Sequence, residues 1–153
     1  MKNIKAFIIS VLIPLAVGGL SALLSRDGMM SFDIVQKPPL TPPAILFPIA
    51  WTILYVLMGI ASYFVFTSDS PLKESALRVY GIQLVFNFFW SIFFFNLSAY
   101  LFSFFWLLVM WFLIIICTLL FYAIDKKSAY LMLPYLAWVT FAGYLNLGVY
   151  FLN

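Results

Sequence analysis

Tyr80, Gln83, Asn87, Trp90 and Ser91 recur at steps of three and four residues, apart from the final adjacent pair, which sets amides, hydroxyls and an indole on one face of a helix. These groups stack and exchange hydrogen bonds but are neither acids nor bases at neutral pH, so their chemistry is binding rather than proton transfer. Two further stripes share the character: Trp51, Tyr55, Met58 and Ser62, then Tyr135, Trp138, Ala142, Leu145 and Asn146. Gln83 and Asn87 suit two roles equally, hydrogen bonding between helices or contact with a ligand. Trp51 and Trp138 lie deep in apolar runs, where an indole N–H needs an acceptor such as Asn87. A cavity lined by such side chains fits a flat, mostly apolar ligand with polar handles.

Other chemistries are excluded by what the chain lacks. With no His, one Cys and five scattered carboxylates, it offers no metal site, no axial histidine for haem and no Ser-His-Asp hydrolysis. Cys117 has no partner for an internal disulfide and reads as a small packing residue. No apolar run has an ionisable side chain near its middle, which weighs against an ion pump or proton relay. The net charge of +3 sits at the edges of these runs, an arrangement that sets membrane topology and does not suit nucleic acid.

The elements that must position the stripes are membrane helices. Two thirds of the 153 residues are apolar (66%) and only 8% are charged, too little polar surface for a soluble domain. Apolar runs long enough to cross a bilayer occupy about 4–24, 44–66, 77–95, 101–124 and 129–152. Lone strands would leave their backbone unsatisfied in lipid, so the expected fold is an all-α membrane protein, a single five-helix transmembrane domain spanning 1–153.

Between the runs lie stop and start signals. The prolines of Lys37-Pro38-Pro39-Leu40-Thr41-Pro42-Pro43 favour a stiff, extended segment, with Thr41 capping the second helix and Pro42 at its first position. Ser70 and Ser128 are the corresponding candidates before the third and fifth helices. Tyr100, Trp106, Tyr122 and Tyr130 fall near segment ends and fit an interfacial aromatic belt. Gly18 and Ala22 would let another helix, or a second subunit, approach the first span. Lys2, Lys5, Lys73, Arg78, Lys126 and Lys127 share one face, against Arg26 and Lys37 on the other. That asymmetry predicts a cytoplasmic N-terminus, with the C-terminus and the 25–43 loop outside, the loop acting as a lid.

Three segments together resemble the TspO/MBR family, the translocator or tryptophan-rich sensory proteins. They are Lys37-Pro38 to Pro42-Pro43 running into Trp51, Tyr55, Met58, Gly59, Ala61 and Tyr63; Gln83, Leu84, Asn87, Trp90, Ser91, Phe94 and Phe95; and Pro134, Tyr135, Trp138, Phe141, Ala142, Tyr144, Leu145 and Asn146. The resemblance implies a bacterial cell-membrane protein, commonly a homodimer, that binds tetrapyrroles such as protoporphyrin IX without a resident cofactor. Carried over residue by residue, it implies a pocket of Trp51, Asn87, Trp90, Ser91, Trp138, Ala142 and Leu145, with Pro42 and Phe32 from the loop. Some relatives are associated with light- and oxygen-dependent breakdown of protoporphyrin IX, which would give Trp51 and Trp138 a redox role; a sensory scaffold is the third reading. The chain departs from the family pattern at Ser31-Phe32 and Leu40, where relatives often carry further aromatics.

Overall fold

The computed structural model describes residues 3–153, and among them every regular element is helical. The elements are α1 (Ile4–Leu24), α2 (Arg26–Ser31) continued by a 3-10 turn (Phe32–Ile34), α3 (Leu46–Phe66), α4 (Lys73–Ser91) ending in a π turn (Ile92–Asn96), α5 (Tyr100–Ile124) and α6 (Lys126–Leu152). Five of the helices, α4 counted with its π turn, are long and apolar enough to cross a membrane. Ile8, Leu12, Phe105, Phe112, Leu119 and Phe151 face outward, an apolar surface that suits a hydrocarbon solvent and not water.

The five long helices close into a ring in the order α1, α3, α6, α5, α4. Short connections make two of these neighbours obligatory: three residues between the π turn and α5, and Asp125 alone between α5 and α6. At the α1–α3 crossing, a Cβ on Gly59 would run into the α1 backbone at Ser10 and Val11, so glycine is what permits that approach. Both α1 and α6 continue through their internal prolines, Pro14 and Pro134. The middle of the ring is packed solid by Met58, Met110, Ile114, Phe121, Met132 and Tyr135.

Several boundaries differ from the sequence expectations for identifiable reasons. Within the Ser25–Pro43 lid, α2 and the 3-10 turn occupy 26–34, helical structure that the sequence reading did not place there. Gly28 sits there against the Phe95 carbonyl, where a Cβ would collide with it. Thr41 does not cap α3: its hydroxyl donates to the Pro38 carbonyl (2.7 Å), closing a turn in which Leu40 takes a left-handed φ of 71°. Pro42 and Pro43 lie outside the helix, which starts at Leu46 and carries Pro48 in its first turn, where no N–H is required. Before α4, Ser70 accepts the Leu72 N–H (3.1 Å) in the turn ahead of the helix, but the N-cap is Leu72, which makes no side-chain cap bond. Before α6 the cap is Asp125, which accepts the Lys127 N–H (3.1 Å), whereas Ser128 is buried and donates to Ala61 (3.0 Å) across to α3. Trp106, near the start of α5, donates its indole N–H to the Phe86 carbonyl (2.8 Å) and stacks its ring on Phe86.

Candidate ligand-binding cavity

Beneath the lid the ring opens into a cavity of about 300 Å³. Phe32, Pro42, Trp51, Asn87, Trp90, Ser91, Trp138, Ala142 and Leu145 all line it, so the nine residues singled out in the sequence meet in one place. Helical periodicity explains the meeting: each stripe is the inward face of its helix, and the ring points α3, α4 and α6 at a common axis. A wider depression beside Ser98, Tyr100 and Tyr150 lies on the surface and takes in none of the nine.

The floor is a run of directed hydrogen bonds. Tyr55 donates to Asn87 Oδ1 (2.7 Å), Asn87 Nδ2 donates to the Tyr135 hydroxyl (3.0 Å), and Tyr135 donates to Gln83 Oε1 (2.6 Å). These bonds join α3, α4 and α6, while the Tyr55 ring fills the notch at Gly18 of α1, which has no room for a Cβ. Gly18 is therefore used within the chain. Gln83 is fully buried below the cavity and serves the interhelical role; Asn87 serves that role while also forming part of the wall.

The indoles find partners other than the expected ones. Trp90 donates to Asn146 Oδ1 (3.0 Å), and Asn146 in turn donates to the Tyr100 carbonyl (2.8 Å). Trp51 stacks on Tyr55 (5.5 Å between centroids) and meets Trp138 edge-on (6.4 Å). Asn87 is taken up by the two tyrosines, and the buried Trp138 N–H has no protein partner.

The lid is held along its length. Phe32 packs on Phe94 and Phe95 (5.3 and 5.4 Å), Pro38 fits against Gly148, and Tyr144 donates to the Pro39 carbonyl (2.7 Å). Gln36 and Asn153 exchange two hydrogen bonds (3.1 and 2.8 Å). Sequence reasoning missed Lys37, Asp33, Phe47 and Met110 in the lining. Lys37 was visible only as a loop charge, and Met110 lies in a helix so uniformly apolar that no face stands out.

A ring of five helices long and apolar enough to cross a membrane, around an aromatic-walled cavity under a lid, defines a polytopic membrane protein. The chain belongs to the TspO/MBR family, whose model matches residues 10–152. It is 35% identical to the tryptophan-rich protein TspO of Archaeoglobus fulgidus, over 99% of both chains. It is 33% identical to the protein of the same name from Chlorobaculum tepidum, over 99% of this chain and 98% of that one. Translocator protein 2 of the dog is 35% identical, over 79% of this chain and 73% of its own.

Proposed function

We propose that the chain is a membrane receptor with a sensory or transport-linked role that holds a tetrapyrrole such as protoporphyrin IX in this cavity. The observation that carries the reading is the wall itself: three indoles, Trp51, Trp90 and Trp138, with Phe32, Phe47, Phe94 and Phe95, around a few amide and hydroxyl groups. Flat aromatic surfaces stack on a macrocycle, and the wall supplies them from three helices and the lid. The volume sits at the lower end of the range for small-molecule sites, so a ligand as large as a macrocycle enters with the lid displaced. The closed floor favours binding and release at the lid side over passage through the bundle axis. The excess of basic residues beside the N-terminus, α4 and α6 supports a cytoplasmic N-terminus and an outward-facing lid in a bacterial cell membrane. A homodimer formed through outward helix faces is part of the same proposal.

A dark titration of purified protein with protoporphyrin IX, followed by tryptophan quenching, tests the reading. Saturable binding weakened at least tenfold in a Trp51→Phe, Trp138→Phe double variant supports it; quenching that never saturates, or equal binding by the variant, overturns it. The perpendicular Trp51–Trp138 pair on the cavity wall favours a second reading, in which the indoles exchange an electron with the photoexcited porphyrin in the presence of oxygen. Bound porphyrin that bleaches under light no faster than free porphyrin would sink it.

A further inference from the structure

We propose that Lys37 is the counter-ion of the cavity, its ammonium taking a carboxylate of the ligand, so that the site prefers a planar aromatic acid to the neutral ester of the same ring. The proposal rests on the ligand-binding reading above and assigns the charge selectivity of that site.

Among the described residues, Lys37 is the one Lys or Arg in the lining, beside side chains that are otherwise almost all neutral. Its Nζ donates to the backbone carbonyls of Val35 (3.1 Å) and Asp33 (3.4 Å), both longer than a charge-assisted hydrogen bond. The same nitrogen lies 4.8 Å from the centroid of the Phe32 ring. Two carbonyl dipoles and an aromatic face moderate a positive charge without neutralising it, and they leave one N–H of the ammonium for another acceptor. The residue is also held in place: Gln36 before it is paired with Asn153, and Pro38 after it is buried against Gly148. An ammonium on an anchored backbone at the edge of an apolar chamber gains most from an anionic partner, because the low dielectric strengthens the pair.

Asp33 is the counter-argument, since it too contributes to the lining. Its contact with Lys37 is through the backbone oxygen, and its side chain is exposed. The Asp33 carboxylate therefore opposes a bound anion from the solvent side, and removing its charge should tighten acid binding.

The test compares protoporphyrin IX with its dimethyl ester, in the dark and by tryptophan quenching, on the full chain and on Lys37→Gln, Lys37→Arg and Asp33→Asn. The expected result is roughly tenfold tighter binding of the acid than of the ester by the unaltered protein. Lys37→Gln should bring the acid to the level of the ester, with saturable ester binding and the midpoint of thermal unfolding as the checks on folding. Lys37→Arg should keep the preference, and Asp33→Asn should enlarge it. Equal affinity of the unaltered protein for acid and ester, or a preference that survives Lys37→Gln, overturns the lysine assignment alone. Failure of both compounds to bind saturably overturns the cavity reading and this proposal with it.

Discussion

Tyr135 ties α6 to two amides of α4, because its hydroxyl accepts from Asn87 and donates to Gln83 while the residue is fully buried. Tyr135→Phe leaves an amide donor and an amide acceptor without partners. Hydrogen bonds between membrane helices are individually modest, so the expected loss is about 1–2 kcal/mol, read as a lower midpoint of thermal unfolding in detergent. Tyr55→Phe removes a single bond and should cost less; an equal or larger loss would show that the run does not act as described. Gly18 acts through what it lacks. In Gly18→Val the new side chain overlaps the Tyr55 ring, displacing it toward the cavity, and porphyrin affinity should fall at least tenfold. An unchanged titration curve would mean that the ring has another place to go.

Among the elements, the lid is tied by a small number of contacts, three of which come from the C-terminal part of α6 and the residue just after it: Asn153 with Gln36, Gly148 with Pro38, and Tyr144 with Pro39. Since Tyr144 is exposed and gives the lid one hydrogen bond, Tyr144→Phe tests the tether while disturbing the core little. Backbone amide exchange across 26–43 should rise several-fold in that variant, with α5 unchanged as an internal reference. Exchange confined to the rate of the unaltered protein would show that packing of Phe32 on Phe94 and Phe95 holds the lid by itself. Gly28 restrains the other end, where α2 lies on the Phe95 carbonyl, so closure depends on the π turn as well as on α6.

At the scale of the whole molecule, the proposed orientation makes a labelling prediction. Cys117, the single native thiol, is buried and leaves the background low. A cysteine at exposed Ser98 should react with a membrane-impermeant maleimide added to intact cells, and one at exposed Asp69 only after the membrane is opened. The opposite pattern would invert the topology and turn the lid to the cytoplasm. The membrane class, the five spans and the inward stripes of α3, α4 and α6 were legible in the sequence. Apolar length and side-chain direction are properties of each helix by itself, and a residue's neighbours three and four positions away suffice to reveal them. The start of α3 was not legible, because Thr41 had two uses for its hydroxyl and the turn at Leu40 took it. Nor was the choice of partners: Asn87 with two tyrosines, Trp90 with Asn146, Gly18 with Tyr55, and Lys37 brought from a loop to the cavity wall. Those pairings depend on the order of helices around the ring and the rotation of each about its axis. Both are settled only when the helices pack against one another and the lid closes over them.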